Sequence, residues 1–194
     1  MAFVPYATRT QEKMREVLMR PEADGPSIHY YMIRGGSEKR NVTVLETGTV
    51  GGEYIKTYGH YHAGALDETY RFLEGDGIVL LQKRSDETDP AVIVEFSAKR
   101  VAAGDSVYIP PGYGHLMVNA GATWLVATDN SPVFGAEDSA ATPGHAQYEP
   151  VKRMRGFAFY VIAHDGAPAL VKNPTYAGVR TADFGGLPVI GPHS

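Results

Sequence analysis

The stretch GHYHAGALDETYRFLEGDG, residues 59–77, places two histidines one residue apart and a glutamate shortly after the second. Side chains alternate across a β-strand, so His60 and His62 project from the same face and form a chelating pair. Glu68 opens the run ETYRFLEG, in which Tyr70 and Phe72 share its face. If the two runs are hairpin neighbours, Glu68 reaches the same point as the histidines. The stretch therefore predicts a cluster of metal ligands on a β-scaffold.

A second stretch, GDSVYIPPGYGHLMVN at residues 104–119, supplies a further histidine. Its Pro110, Pro111, Gly112 and Gly114 predict a rigid turn that delivers His115 at the start of the next strand. The chain has no cysteine, so any metal must be bound through nitrogen and oxygen. Three imidazoles and one carboxylate suit Fe²⁺, Mn²⁺, Ni²⁺, Co²⁺ or Zn²⁺ and would leave coordination positions open for a substrate.

Most of the chain reads as short strands. From residue 41 onward, β-branched and aromatic runs recur between glycine and proline turns. These runs are NVTVLET, EYIKTYGHYH, TYRFLEG, GIVLLQK, AVIVEFS, DSVYIP, HLMVNA and TWLVAT, followed by a terminal hairpin of GFAFYVIAHDG and PALVKNP. No helical pattern of crossover length separates them, which argues against a parallel sheet and predicts an all-β sandwich or barrel.

One helix is predicted ahead of the strands, in TRTQEKMREVLMR at residues 8–20. Thr10 can cap it, and Met14, Val17 and Leu18 share a face that would pack against the outside of the strands.

The length predicts one domain over residues 1–194. We expect three parts within it, namely the helix and an extension in 1–40, the barrel core with both ligand stretches in 41–130, and a loop, terminal strands and a loosely held tail in 131–194.

Composition excludes several functional classes. The chain has 194 residues, 43% of them hydrophobic, and a formal net charge of −4. Its lysines and arginines are scattered, so no basic face predicts binding to nucleic acid. No apolar run approaches the roughly 20 residues of a membrane span and no signal peptide is evident, so we expect a cytoplasmic protein that does not bind membranes. Three histidines outside the two stretches have no partner in the pattern and are expected at the surface, namely His29, His164 and His193.

The two ligand stretches resemble the cupins, whose motifs read Gx5HxHx3–4Ex6G and Gx5PxGx2Hx3N. The second motif is matched at each of its fixed positions, Gly104, Pro110, Gly112, His115 and Asn119. The first is matched at His60, His62, Glu68 and Gly75, with one residue more than usual between the second histidine and the glutamate. The resemblance implies the cupin fold, an all-β double-stranded β-helix (jelly-roll barrel), here with a short N-terminal helix.

The longer spacer is similar to that of the cupin-type (archaeal-type) glucose-6-phosphate isomerases, which read roughly TxGHxHxxxxxxExYxxLxGxGxxLLQ. Here the text is TYGHYHAGALDETYRFLEGDGIVLLQ, with a spacer one residue shorter than the family's, and VYIPPGYGHLMVNAG resembles the family's VYVPPxWxHxxxNxG. The resemblance covers roughly residues 40–175. It implies a metal-dependent enzyme of glycolysis and gluconeogenesis that interconverts glucose 6-phosphate and fructose 6-phosphate.

The same resemblance implies the site residues. The metal ligands fall on His60, His62, Glu68 and His115, with Fe²⁺ as the first expectation for the ion. The threonines that hold the sugar phosphate fall on Thr43 and Thr57, and Gly59 falls where a backbone amide meets that phosphate.

Two further residues follow from the resemblance beyond the barrel. The family's histidine and tyrosine near GHxY map onto His145 and Tyr148, with an additional residue between them, and one or the other would assist opening of the sugar ring. A further tyrosine of the family has no clear counterpart upstream of His145.

Tyr70, which shares the face of Glu68, has two interpretations. Its hydroxyl binds Glu68 or the substrate, or its ring packs in the barrel.

Several alternatives stay open on the sequence. Glu68 would move a proton between C1 and C2 in a cis-enediol route, provided that it leaves the metal or holds it loosely, whereas a metal-assisted hydride shift needs no base at carbon. Other candidates are a mannose-6-phosphate or other sugar-phosphate isomerase, an iron dioxygenase, or a non-catalytic sugar-binding cupin. Cupins usually associate through sheet edges, so we expect a homodimer.

Overall fold

A computed structural model describes residues 7–33, 41–86, 88–131 and 146–191. Within them the chain forms seventeen β-strands, two short α-helices and one 3₁₀ turn. The prediction of an all-β protein is confirmed. None of the helices in these ranges has the length and apolar character needed to cross a membrane.

The strands follow one another closely along the chain. In chain order they are β1 (Ala7–Thr10), β2 (Ile28–Ile33), β3 (Asn41–Leu45), β4 (Thr49–Val50), β5 (Glu53–Tyr54), β6 (Tyr61–His62), β7 (Glu68–Glu74), β8 (Asp76–Arg84), β9 (Val92–Ala102), β10 (Ser106–Ile109), β11 (Tyr113–Asn119), β12 (Leu125–Asp129), β13 (Ala146–Gln147), β14 (Phe159–His164), β15 (Ala167–Lys172), β16 (Gly178–Asp183) and β17 (Val189–Ile190). The helices are α1 (Gln11–Met14) and α2 (Glu149–Arg153), and the 3₁₀ turn is Arg15–Val17.

Two of the four sheets, with six and four strands, enclose the core, and a five-stranded sheet of the order β17-β15-β14-β5-β4 and the pair β13-β6 complete the fold. The first has the order β1-β2-β3-β12-β7-β10, and the second has the order β11-β8-β9-β16. The chain crosses from one sheet to the other between β7 and β8, between β9 and β10, between β10 and β11, and between β11 and β12. This winding is a jelly roll, the double-stranded β-helix of the cupin fold.

The strands of the two sheets differ in whether one or both of their faces are buried. In β7 the inward side chains of Glu68, Tyr70 and Phe72 are buried while the intervening ones are more exposed, which is the two-residue period of a strand with one wet face. In contrast, β8 buries six consecutive residues and β11 buries every residue but its first, so both faces of these strands are covered. Just before β14, the N–H of Ala158 donates to Oε1 of the buried Gln82 at 2.9 Å.

The N-terminal helix is shorter than predicted. α1 and the 3₁₀ turn end at Val17, short of the predicted residue 20, and the residues before them form β1, which pairs antiparallel with β2. Neither strand was predicted, and their pairing confines the helix to this stretch. The Thr10 hydroxyl oxygen accepts the N–H of Lys13 at 3.4 Å, so the predicted cap is present. The predicted apolar face is buried, namely Met14, Val17 and Leu18.

The C-terminal tail is held by strand pairing. β16 pairs in parallel with β9, and β17 pairs in parallel with β15. The ring of Phe184, which follows β16, lies 5.1 Å from that of Phe159 and 6.1 Å from that of Phe96. The prediction of a loosely held tail is therefore wrong for residues 178–191.

A buried ion pair ties the N-terminal segment to the barrel. Lys56 Nζ lies 2.6 Å from Glu53 Oε1, and both side chains are almost fully buried. Each partner also binds the N-terminal backbone, since Lys56 donates to the Val17 carbonyl and Glu53 accepts the N–H of Met19, both at 2.7 Å. Removing either member would leave the other as an uncompensated buried charge.

We expect Lys56→Ala to lower the free energy of unfolding by about 3–5 kcal/mol, measured by urea denaturation. Glu12→Ala is the matched control, because Glu12 pairs with Arg15 at 3.2 Å on the exposed surface and should contribute less than about 1 kcal/mol. Equal losses in the two variants would contradict the role given to the buried pair.

One histidine expected at the surface is buried. His29 has no exposed area, and its Nε2 lies 2.5 Å from Gln11 Oε1, to which it can donate. Burial, followed by the nearby charge of Lys56, lowers the pKa of His29 to about 4. The surface prediction is wrong for His29, whereas His164 is half-buried and His193 lies outside the described residues.

The lowered pKa of His29 predicts a loss of stability in acid. Between the folded-state pKa of about 4 and the ordinary value of 6.5 the unfolded chain binds more protons, so stability present above pH 6.5 is lost as the pH falls towards 4. The difference in unfolding free energy between the wild type and His29→Gln should fall by on the order of 3 kcal/mol between pH 7 and pH 4. A constant difference for His29→Gln would refute the assignment.

Candidate metal centre

Four polar side chains meet inside the barrel. His60, His62, Glu68 and His115 each offer one ligand atom, and these atoms all lie within 4.8 Å of one another. His62, Glu68 and His115 are buried, and His60 is partly exposed. Solvent therefore reaches the cluster from the side of His60.

Main-chain pairing with β11 places His60. Its N–H donates to the His115 carbonyl at 3.3 Å, and its own carbonyl accepts the N–H of His115 at 3.0 Å. Paired residues of an antiparallel bridge send their side chains to the same side, and the two imidazole centroids lie 4.3 Å apart. Gly59 turns the chain into this bridge at a φ of +80°, and a β-carbon there would stand 2.8 Å from the Phe157 ring, so glycine is required.

His62 and His115 approach each other from different strands. His62 lies on β6, where Ala146 of β13 is its partner. His115 follows Gly114, at which a β-carbon would stand 2.7 to 2.9 Å from the ring of Tyr61. The Tyr61 ring thus occupies the space that a side chain at position 114 would need. The imidazole centroids of His62 and His115 lie 4.8 Å apart.

Glu68 comes from the opposite sheet. β7 pairs with β10 and β12, whereas β6 pairs with β13, so the hairpin considered for the two runs of the first stretch is wrong. Glu68 pairs with Ile109, the last residue of β10. The chain then turns, with the N–H of Tyr113 donating to the Pro110 carbonyl at 3.2 Å, and enters β11. The turn therefore places His115, on the second sheet, next to Glu68, on the first.

The charge state of the cluster follows from its contacts. Glu68 Oε2 lies 3.1 Å from Nε2 of His115 and 3.2 Å from Nε2 of His62. Burial of the carboxyl acts to raise its pKa, but the imidazoles of His115 and His62 outweigh it, and the pKa of Glu68 lies below its usual range. The side chain is therefore a carboxylate at neutral pH.

The donor set fits a divalent ion. Among the described residues, neither ring nitrogen of His115 nor Oε2 of Glu68 has a hydrogen bond of good geometry, although all three atoms are buried. Buried polar atoms in that state cost free energy unless something binds them. Separations near 3 Å match the edges of a coordination shell with bonds of about 2.0–2.2 Å. Imidazole and carboxylate donors suit several divalent transition ions.

Of the residues predicted to hold phosphate, Thr57 lies next to the strand that carries His115. Thr43 is buried on the inner side of β3. Thr57 lies beside β11, where its N–H donates to the Met117 carbonyl at 2.8 Å and its hydroxyl oxygen accepts the N–H of Met117 at 3.0 Å. Met117 is two residues beyond His115, so Thr57 stands one strand repeat from the cluster. Tyr70 is buried with its ring edge-on to His115 at 5.5 Å.

Tyr148 reaches the exposed side of the cluster. Its ring centroid lies 5.4 Å from that of His60 and 5.5 Å from that of Tyr58. His145, the other residue predicted to assist ring opening, lies outside the described residues. Sequence reasoning missed Tyr58, although the alternation in TYGHYH places it two residues before His60 and four before His62 and could have found it.

A family model described as Glucose-6-phosphate isomerase (GPI) matches residues 29–177, which is more than half of the chain. The chain belongs to the glucose-6-phosphate isomerase family. The Glucose-6-phosphate isomerase of Thermococcus gammatolerans is 34% identical over 145 residues, covering 74% of this chain and 67% of that protein. That of Pyrococcus horikoshii is 32% identical over 172 residues, covering 86% and 80%. The match to the Thermococcus kodakarensis protein, at 33% identity, covers 69% of this chain and 62% of that protein's length.

Two solved structures with partial similarity are those of a Thermotoga maritima protein described as a predicted oxalate decarboxylase and of the Drosophila melanogaster CENP-C cupin domain. The first has a TM-score of 0.40 at 17% identity and covers 66% of this chain and 96% of that one. The second has a TM-score of 0.38 at 13% identity and covers 59% and 79%.

We expect His115→Ala to lose bound metal. Loss of a direct ligand should weaken binding by more than the roughly 10–100-fold that loss of a supporting residue costs. Protein reconstituted anaerobically with Fe²⁺, and separately with Zn²⁺, would be desalted and its metal content measured by mass spectrometry. His164→Ala is the control, because His164 lies outside the cluster beside Asp165. Stoichiometric metal in His115→Ala would exclude the four-residue site.

Proposed function

We propose that this protein is a metal-dependent aldose–ketose isomerase that interconverts glucose 6-phosphate and fructose 6-phosphate. The observation that carries the proposal is the buried cluster of three imidazoles and one carboxylate, in a chain of the glucose-6-phosphate isomerase family. A mononuclear site of this kind, open on one side, suits chemistry at two adjacent oxygens of an open-chain sugar.

The reaction moves one hydrogen between C1 and C2 and one proton between the neighbouring oxygens. A divalent ion held by His60, His62, Glu68 and His115 would polarise the carbonyl and acidify the hydroxyl, a Lewis-acid contribution of several kcal/mol. Fe²⁺ is the first candidate, with Mn²⁺, Ni²⁺, Zn²⁺ and Co²⁺ as the others.

Glu68 is the proposed proton carrier. Glu68 is a carboxylate at neutral pH, so it can accept the proton from the carbon of an aldose or ketose and return it to the neighbouring carbon, provided that it leaves the metal or holds it loosely. In the cis-enediol route this transfer is the central step. In the hydride-shift route Glu68 serves as a ligand alone, and a Glu68 variant with metal still bound separates the two.

Tyr148 is proposed to act on the sugar ring. Its ring lies against His60 on the exposed side of the cluster, where a cyclic sugar phosphate would enter. A phenol hydroxyl both donates and accepts hydrogen bonds, so it can move a proton to or from the ring oxygen. His145 is proposed as its partner on the strength of the motif.

The phosphate is proposed to bind away from the reacting carbons, at Thr43, Thr57 and the Gly59 amide. Thr57 accepts the N–H of Met117 with its hydroxyl oxygen, which leaves the O–H hydrogen for a phosphate oxygen. A phosphate anchor outside the metal cluster would hold the substrate in place without taking part in the hydrogen transfer.

We also propose that the protein acts in the cytoplasm, in glycolysis and gluconeogenesis, as a homodimer. These proposals follow from the family alone.

A coupled assay tests the activity directly. EDTA-treated protein would receive Fe²⁺, Mn²⁺, Ni²⁺, Zn²⁺ or Co²⁺ separately, and formation of glucose 6-phosphate from fructose 6-phosphate would be followed. We expect turnover that returns with metal and that falls by roughly 10²–10⁴-fold in Glu68→Gln with its metal still bound if Glu68 carries the proton. Glu74→Gln, at the exposed end of the same strand, should retain activity.

Other outcomes would redirect the assignment. Metal binding without turnover on fructose 6-phosphate would contradict the proposed substrate, and mannose 6-phosphate and other sugar phosphates would be assayed next. Oxygen consumption by the Fe²⁺ form would indicate a dioxygenase, and tight sugar-phosphate binding without turnover would indicate a binding protein.

A further inference from the structure

A cavity lies between the N-terminal segment and α2. Its volume is about 450 Å³, within the range of small-molecule sites. Three elements each contribute a cation to its wall, namely Arg9 of β1, Lys13 of α1 and Lys152 of α2. The rings of Tyr58 and Tyr148 complete the wall.

Two carboxylates, Glu12 and Glu16, also line the cavity, and the charge of Glu16 is balanced by Lys152, another residue of the wall. Lys152 Nζ lies 2.8 Å from one oxygen of Glu16, and the Tyr58 hydroxyl donates to the other at 2.7 Å. These contacts join α2 to the 3₁₀ turn, so Lys152 and Glu16 together build the wall and add no net charge to it.

The net charge of the cavity is positive. Glu12, the second carboxylate, pairs with Nε of Arg15 at 3.2 Å. Within the described ranges, neither Arg9 nor Lys13 has a carboxylate at ion-pair distance. Arg9 and Lys13 on adjacent elements therefore face the cavity with no carboxylate of the described residues at ion-pair distance.

The cavity shares one wall with the metal cluster. The Arg9 Cζ lies 5.9 Å from the centroid of the Tyr148 ring, and the His60 ring centroid lies 5.4 Å from the same centroid. Tyr148 thus contacts a cluster residue and the guanidinium of the cavity at once.

We propose that this cavity binds the phosphate group of a phosphorylated small molecule, held by Arg9 and Lys13. A guanidinium presents a planar fork that matches phosphate oxygens, and an ammonium adds a point charge beside it. Both residues precede residue 29, where the match to the family begins, so membership of the family gives them no role.

The phosphate has two possible sources. It is either the terminal phosphate of the substrate, in which case the inference rests on the proposed isomerase activity but replaces Thr43, Thr57 and the Gly59 amide as the phosphate anchor, or the phosphate of a second molecule that occupies the cavity while the substrate is bound. The competing location is the barrel interior at Thr57, and the test includes it.

The test measures binding without turnover. Methyl phosphate and inorganic phosphate would be titrated calorimetrically into EDTA-treated and metal-loaded protein. We expect Arg9→Gln and Lys13→Gln each to weaken phosphate binding by roughly tenfold, the usual effect of losing a charge-assisted hydrogen bond. Arg153→Gln, an exposed cation on α2 outside the cavity, is the matched control and should change it less than about twofold.

Repeating the titration in saturating fructose 6-phosphate distinguishes the sources. Competition, with a raised KM and little change in kcat in Arg9→Gln, assigns the cavity to the substrate's phosphate. If phosphate binds as well in saturating fructose 6-phosphate as without it, the cavity is assigned to a second molecule. If fructose 6-phosphate does not bind at all, the proposed function fails while methyl phosphate still decides the cavity.

The proposal is overturned if methyl phosphate does not bind, if Arg9→Gln and Lys13→Gln bind it like the wild type, or if only Thr57→Ala abolishes binding. Circular dichroism would check the fold of each variant. Lys13 is exposed, so Lys13→Gln keeps the test decisive should Arg9→Gln fail to fold.

Discussion

The main-chain exchange between His60 and His115 is the interaction on which the site depends. Two N–H···O bonds fix both backbones, so the facing imidazoles are placed by the sheet and not by the packing of flexible side chains. Glu68 then reaches them from the opposite sheet, at the point where the chain leaves β10 for β11. A polar cluster inside an apolar barrel is costly unless its members are satisfied, and this closed arrangement allows one ion to satisfy all of them.

The segment that carries His60 is fixed at its other end by the buried ion pair. Lys56 lies four residues before His60 and binds both Glu53 and the carbonyl of Val17. Between Lys56 and His60 stand Thr57 and the turn at Gly59, so the proposed phosphate anchor and the first ligand share one short, doubly fixed stretch. Stability and site geometry are therefore coupled in this protein, because the contacts that hold the N-terminal segment also hold the ligand strand.

The ligand set could be predicted from sequence because strand alternation and turn chemistry act locally. His60 and His62 share a face whichever strands flank them, and the turn before His115 does not depend on distant residues. The partner of β6 could not be predicted in this way, since the pairing is decided by how the two sheets close on each other. The same holds for the tail, whose strands β16 and β17 pair in parallel with β9 and β15.

The position of Arg9 is the clearest example of a feature that could not be predicted from the sequence. Nothing in TRTQEKMREVLMR marks it, because its position depends on the pairing of β1 with β2, and that strand pair was read as helix and extension. Its contact with Tyr148 has a thermodynamic consequence. If phosphate bound at Arg9 changes the affinity of the cluster for its ion or substrate, that ion or substrate must change the affinity for phosphate by the same factor. The Tyr148 ring, which touches both His60 and Arg9, is the physical element through which such coupling would pass.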